Sequence, residues 1–398
     1  MAVEDIDILA EGLTERYSLP DEQLTEAFIS KRNLIHNVDH IRQHLESRCK
    51  IIAVVKANAY GHSIDAVIPS LIESNIDYFG VANVNEGILL RYFLQKKNSI
   101  KFTTTPKILA FSAPLPDQIP FYLKHDIEAT ITGFESLRFA ESITASNLKV
   151  LNVHLKIDTG MSRLGCNPKE AMKIAELIHS SKYLNLRGVY THFASSGEDL
   201  AFTRKQLALF LEVCSSIEQS IQVPFMKHCA NSGAIISDRE THLDAVRPGI
   251  LLYGIIPFYT PSNSFNFRPV MQLQSKVTFT KWIEKGTTVS YGRKWKAWRR
   301  TRIATISIGY ADGIPRLLSN NLKVLINGKI FNQVGIITMD QMMVNLENDA
   351  SINEGDIATI FGWSHPEIHV DKISKKAGSI SYELISSVSP RVRRVIVD

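Results

Sequence analysis

Between residues 51 and 246 two kinds of hydrophobic pattern take turns, and that alternation leaves the chain few folds to choose from. Short apolar runs of strand type stand at Ile51–Val55, Tyr78–Val81, Ile108–Phe111, Ile127–Ile131, Val150–Ile157, Leu186–His192, Phe225–Cys229 and Leu243–Val246. Segments with helical spacing separate them: Ile64–Ser74, Asn83–Gln95, Asp117–His125, Phe134–Ile143, Pro168–His179, Asp199–Gln219 and a short one after Ser232. Strict alternation predicts parallel strands, and eight of them predict a closed α/β barrel of the (β/α)8 type, the TIM barrel. In such a barrel the rim at the strand ends collects the chemistry. Upstream, Asp21–Ser47 also reads as helical, with Leu34, Val38, Ile41 and Leu45 on one stripe. His36, His40 and His44 lie opposite that stripe; no Glu follows the first His as a zinc-protease helix would have it, so a solvated face is expected rather than a metal site.

The pattern changes near residue 263. Pro261-Ser262-Asn263-Ser264 is linker-like, and beyond it come alternating strand patterns at Met271–Trp282, Thr287–Tyr291, Thr301–Ile308, Lys323–Ile326, Gln333–Thr338, Ile357–Phe361 and Arg393–Val397. Asn327-Gly328 between two apolar runs is a hairpin signal, and Asp371–Ala377 is the one helical stretch. The expected organisation is therefore a barrel over residues 1–262, with an N-terminal extension over 1–21, and a mainly antiparallel β domain over 263–398.

A net charge of +5 over 398 residues suits small anionic ligands and makes no case for nucleic acid, which calls for clustered basic faces. The densest cluster, Arg293–Arg300 with Trp295 and Trp298, is a single run and reads as a surface loop. Cys49, Cys166, Cys214 and Cys229 are widely spaced, form no CxxC, and point to a reduced cytoplasmic setting. The acidic N-terminus has no signal-peptide core, and no apolar run reaches the ~18 residues of a membrane span.

At the first strand end stands Lys56, followed by Ala-Asn-Ala-Tyr-Gly-His. A lysine there can lose its proton on burial and attack a carbonyl. Later strand ends deliver Lys156-Ile157-Asp158-Thr159-Gly160-Met161-Ser162-Arg163, then Thr191-His192-Phe193-Ala194, then Cys229-Ala230-Asn231-Ser232-Gly233, then Arg247-Pro248-Gly249-Ile250. Singly, Asp158–Gly160 reads as a turn, His192 as a satisfied barrel histidine and Ser232 as a helix cap. Four such motifs on the rim that holds Lys56 are harder to explain that way.

AVVKANAYGHS closely resembles the pyridoxal-phosphate lysine motif of alanine racemases. The strand-end motifs follow in that family's order, as do Val289-Ser290-Tyr291-Gly292, Gly309–Gly313, Met339-Asp340-Gln341 and Tyr382-Glu383. The resemblance runs from about Asn37 to the C-terminus. It implies a pyridoxal-phosphate barrel with a β domain, a homodimer with shared active sites, and interconversion of L- and D-alanine for peptidoglycan. It further implies that Lys56 carries the cofactor and serves as one base, with Tyr291 as the other, reaching the second subunit's site. Tyr60, Ser232, Gly249 and Tyr382 match phosphate-side contacts, and Asn231 and Ile250 stand in the same motifs. Arg247 matches the residue facing the pyridine nitrogen, with His192 behind it. Arg163 matches a group beside the phenolic oxygen and the substrate carboxylate, while Met339 matches a backbone contact to that carboxylate, with Asp340 adjoining. Lys156 matches a lysine that can carry a carbamate. No metal is implied.

The sequence departs from the family at Ser195-Ser196-Gly197-Glu198, where the pattern often has Ala-Asp, so a racemase of broader specificity is an alternative. A decarboxylase of basic amino acids on the same architecture would need a cysteine in the β domain, yet no cysteine follows Cys229. A non-catalytic pyridoxal-phosphate-binding barrel would leave Tyr291 without a purpose. A kinase lysine would need a glycine-rich loop upstream, and residues 14–60 contain no glycine.

Overall fold

A computed structural model describes residues 23–76, 78–96, 105–258 and 265–398. The expected extension over 1–21 and the domain boundary at 262–263 lie outside them. By their contacts the described residues form two units: one within Phe28–Gln272, Phe361–Ser389 and Arg394–Asp398, the other within Leu273–Ile360 with Pro390–Arg393 and 23–27.

In the first unit eight parallel strand positions close on themselves. Their order follows the chain: Lys50–Ile51 continuing as Ala53–Val54, then Tyr78–Val81, Lys107–Ala110, Ala129–Ile131, Leu151–Lys156, Leu184–Tyr190, Met226–Asn231 and Ala245–Arg247. Two seams complete the ring. Glu128 bridges to Leu109 on one side, and Ile52 donates to the Val246 carbonyl (2.9 Å) on the other. The helices begin where their sequences say they should. Asn167 caps Pro168–Ser180 by accepting from Lys169 N, and Asp199 caps Leu200–Ile221 by accepting from Phe202 N at 2.9 Å. Their apolar stripes, such as Ala171, Ile174, Ala175 and Ile178, are buried.

The expected helix over Asp21–Ser47 is shorter than read. Helix Lys31–His44 starts at the Ser30 cap, and before it Thr25–Ser30 is a strand whose side chains alternate between buried and half-buried. Period two wins there because the segment pairs between strands Met271–Ile283 and Arg393–Val397. The three histidines of the helix are not simply solvated. His36 Nε2 lies 2.7 Å from the Asn266 carbonyl, His40 Nε2 accepts from Asn266 N at 3.2 Å, and His40 and His44 pack against Phe267 and Phe265. Among the described residues no group of His, Cys, Asp and Glu could hold a metal ion.

In the second unit Met271–Ile283, Thr301–Ile306, Met342–Glu347, Lys329–Val334, Lys323–Ile326 and Ile357–Phe361 form an antiparallel sheet, closed by pairing of Met271–Ile283 with Thr301–Ile306. The Asn327-Gly328 hairpin sets Ile326 opposite Lys329. The strand expected over Gln333–Thr338 lies earlier, at Lys329–Val334, and Met342–Glu347 was not anticipated. Within the basic run Arg299 stacks on Trp298 and pairs with Glu347, while Arg300 stacks on Trp282 and pairs with Glu284. No described helix is long and apolar enough to cross a membrane.

Candidate active site

The barrel rim encloses a cavity of about 500 Å³ lined by Lys56, Tyr60, Lys156, Arg163, His192, Asn231, Ser232, Arg247, Gly249, Ile250 and Tyr382. Eleven residues from six stretches of sequence thus meet at one place. Tyr382 arrives on a short helix, Ser381–Ser386, that sequence reading missed and that belongs to the barrel's unit. Tyr291, Met339 and Asp340 line a separate depression in the β unit together with Tyr310 and Arg316. Tyr291 is 72% exposed there, and Met339 and Asp340 sit at the tip of a turn closed by Thr338 N donating to Gln341 O at 2.9 Å. Tyr310 was not singled out from sequence, although it stands in the quoted Gly309–Gly313 motif.

Uncharged donors gather at one end of the cavity. Ser232 Oγ accepts from Gly249 N at 2.9 Å and from Leu251 N at 3.4 Å, so its own hydrogen must point elsewhere as a donor. The Tyr60 and Tyr382 rings lie 6.1 Å apart, and burial pushes both phenols up, Tyr382 to about 12, so both stay protonated donors. Gly249 is required here because a Cβ would fall 2.4 Å from the Tyr60 hydroxyl and fill the cradle. Three hydroxyls around an open hollow match the three acceptor oxygens of a phosphate monoester.

The other end is crowded with positive charge: Lys56, Lys156, Arg163 and Arg247 face Glu198 as the sole carboxylate among the described lining residues. Arg247 is buried, and both its amino groups are engaged. One amino group donates to His228 Nδ1 and to the His228 carbonyl, both at 2.8 Å, and the other donates to the Thr191 carbonyl at 2.7 Å and the Cys229 carbonyl at 3.0 Å. Burial lowers it to about 10, so it remains a guanidinium at neutral pH. The same burial, with Arg247 adjacent, holds His192 and His228 well below their ordinary range and therefore neutral.

Behind Arg247 runs a chain that sequence reading did not detect. Because Arg247 donates to His228 Nδ1, neutral His228 must carry its proton on Nε2 and donate to His154 Nδ1, 2.9 Å away. His154 must then donate through Nε2 to Glu128 Oε2 at 2.7 Å, where the Tyr78 hydroxyl also donates. Burial works against the Glu128 anion, but the His154 and Tyr78 hydrogen bonds outweigh it and hold its pKa below the ordinary value. The signal for these groups was a histidine inside each of two apolar strands, at His154 and His228.

Lys156 is 4% exposed, donates to the Ile157 carbonyl at 3.1 Å and lies 5.2 Å from the Tyr190 ring centre. Burial first, and Arg247 and Arg163 next, lower its pKa to about 7. The folded value lies below the unfolded one, so the charged amine penalises folding fully below about pH 7, and the penalty fades as pH rises toward 10.5. In buffer freed of carbon dioxide, Lys156→Met should therefore stabilise the chain at pH 6 by on the order of a few kcal/mol and much less at pH 10. Urea unfolding at the two pH values checks this.

Residues 29–257 match the alanine racemase N-terminal domain and residues 270–396 the alanine racemase C-terminal domain. The chain belongs to the alanine racemase family. It is 48% identical to the alanine racemase of Chlorobaculum tepidum over 374 residues, covering 94% of this chain and 96% of that one, and 38% identical to that of Treponema denticola, covering 94% and 98%. Among solved alanine racemases, the Clostridium difficile 630 enzyme in complex with cycloserine superposes with a TM-score of 0.83 at 35% identity, covering 95% of this chain and 96% of that one. The Bacillus anthracis enzyme with bound L-Ala-P gives 0.85 at 30% identity, covering 96% of each chain. As an alanine racemase family member the chain carries the family's N-terminal and C-terminal domains in succession.

Proposed function

We propose that this chain is an isomerase, a pyridoxal-phosphate-dependent alanine racemase that interconverts L- and D-alanine and supplies D-alanine for peptidoglycan. The observation that carries the reading is the cavity itself: a hydroxyl-lined cradle, a buried guanidinium and Lys56 at the first strand end all line it. The residues fit the cofactor. Tyr60, Ser232, Tyr382 and the Gly249 backbone, with Asn231 and Ile250 alongside, would hold its phosphate, Arg247 would face its ring nitrogen with His192 nearby, and Lys56 would carry it. When bound, pyridoxal phosphate stabilises the negative charge left when an amino acid loses its α proton.

Inverting that carbon requires a proton taken from one face and returned to the other, hence two bases. Lys56 supplies one. Partial burial and Arg163 lower its pKa, so a larger share of the amine is neutral and able to accept a proton. Tyr291 supplies the other, in a homodimer where each subunit lends its tyrosine to the second copy's site; its high exposure in a lone chain agrees with such a partner. The Met339 backbone, with Asp340 adjoining, stands with it on the same β-unit depression and, together with Arg163, would bind the alanine carboxylate. Arg247, held by four hydrogen bonds to His228, Thr191 and Cys229, keeps a fixed positive charge where a carboxylate would favour a protonated ring nitrogen.

The neutral Lys156 amine suits addition to carbon dioxide. Its lone pair attacks the carbon, one N–H proton leaves to solvent, and the resulting carbamate gives Arg163 an anionic partner. Cytoplasmic residence fits the four thiols, none in a disulfide among the described residues. The purified chain with pyridoxal phosphate should convert L-alanine to a nearly equal mixture of enantiomers. Circular dichroism of the amino acid, followed from either pure enantiomer, tests this; a preparation that binds the cofactor yet leaves both enantiomers unchanged would overturn it.

A further inference from the structure

The four residues that follow Lys56 adopt a conformation L-amino acids avoid. Ala57, Asn58 and Ala59 have φ/ψ of 52/50°, 51/53° and 56/49°, Tyr60 has φ 53°, and Gly61 completes the run at φ 79°. This is a left-handed helical turn built from four non-glycine residues, costing ~1–2 kcal/mol at each. Internal bonds offset part of that: Ala59 N donates to Val55 O at 2.8 Å and Gly61 N to Ala57 O at 2.9 Å. At its far end the Gly61 carbonyl accepts from Arg394 at 2.8 and 3.0 Å, and a Cβ on Gly61 would strike the Ile385 carbonyl at 2.3 Å.

The near end is held by a side chain that no role has yet claimed. Glu86 Oε1 accepts from Ala57 N, the amide next to Lys56, at 2.8 Å, and Oε2 accepts from Ala82 N at 2.7 Å. Ala82 lies just past strand Tyr78–Val81, so one carboxylate ties together the ends of the first two barrel strands. No cation lies within ion-pair distance of Glu86 among the described residues, so both oxygens serve backbone amides. We infer that Glu86 is a positioning residue for the racemase reaction, holding the left-handed turn at its first amide and thereby fixing Lys56 at the strand end. This rests on the reading of Lys56 as a base. Two charged groups face Lys56: Arg163, which opposes its positive charge, and Glu86, which favours it.

Holoenzyme carrying Glu86→Gln tests the inference. The amide keeps one oxygen acceptor, presents an NH2 group to the second backbone N–H, and removes the charge. The expected result is a fall in kcat of roughly 10- to 100-fold with KM for alanine changed by less than about threefold, as for a 1 Å misplacement of a reacting group. The limb of the kcat profile that reports Lys56 in the substrate complex should move to lower pH by roughly half a unit, because the ammonium loses a favourable neighbour. Glu86→Asp keeps the charge but falls short of the amides, so it should lower kcat while leaving that limb in place. A Glu86→Gln enzyme that melts earlier yet keeps the wild-type kcat and pH profile would overturn the inference, leaving Glu86 a structural strut. Should Glu86→Gln not fold, an unchanged kcat in Glu86→Asp does the same. Lys56→Ala, assayed alongside, separates the two ideas: activity surviving there removes the reading of Lys56, whereas an inactive Lys56→Ala beside an unaltered Glu86→Gln removes only the role of Glu86.

Discussion

Lys56→Ala should lower alanine racemisation by roughly a thousandfold or more in both directions. Two losses combine. The chain forfeits its covalent hold on the cofactor, and one face of the substrate forfeits its base. The neighbourhood offers no ready replacement: Lys156 is buried and bonded to the Ile157 carbonyl, and Arg247 keeps its charge at neutral pH. Borohydride treatment followed by mass analysis should find the cofactor fixed to the wild-type peptide containing Lys56 and to no peptide of the variant. A variant peptide carrying the cofactor elsewhere would move the anchor to another lysine.

Tyr291→Phe should be nearly as damaging, by roughly 10²- to 10⁴-fold, because it removes only a hydroxyl yet takes away the second face's proton carrier. A sharper result comes from mixing. Subunits carrying Lys56→Ala and subunits carrying Tyr291→Phe are each inactive alone, but a mixed dimer with tyrosines exchanged between subunits has one site with both groups intact. Random reassociation of equal amounts makes half the dimers mixed, so about a quarter of the wild-type sites should return. Activity that stays at the level of the parents, with mixed dimers demonstrated by mass, would place Tyr291 outside the neighbour's site.

The parts of this fold that were legible in the sequence are those whose signal is periodic. Strand Tyr78–Val81 and helix Pro168–Ser180 stand where apolar spacing and caps put them, and residues of all five strand-end motifs line one cavity. What escaped notice lacks periodicity or hides within it. Ala57–Tyr60 reads as a small, turn-prone stretch, and only Asn58 and Gly61 hint at a left-handed backbone. Helix Ser381–Ser386 has six residues, too few to show a stripe, and so Tyr382 gave no sign of the element that carries it. Met342–Glu347 does alternate, with Met342, Val344 and Leu346 buried, but an apolar Met343 on the other face blurs the apolar–polar period. His154 and His228 sat in strands that otherwise looked like ordinary core, and their meaning depends on neighbours 74 positions apart in the chain.

That last arrangement has a consequence for where protons can travel. From Arg247 through His228 and His154 to Glu128, every hydrogen is committed in the same direction. A proton wire works by passing a hydrogen in at one end and out at the other, turning each link over in between. Here the first link is a guanidinium that does not give its proton up, and the last is a carboxylate whose Oε2 already accepts from two donors. The row of polar groups that looks like a conduit is thus an insulator. Hydrogen reaching the substrate has to enter through the mouth of the cavity, so the isotope found at the α-carbon of product should be that of the solvent or of the departing substrate proton, with the barrel interior contributing no reservoir of its own.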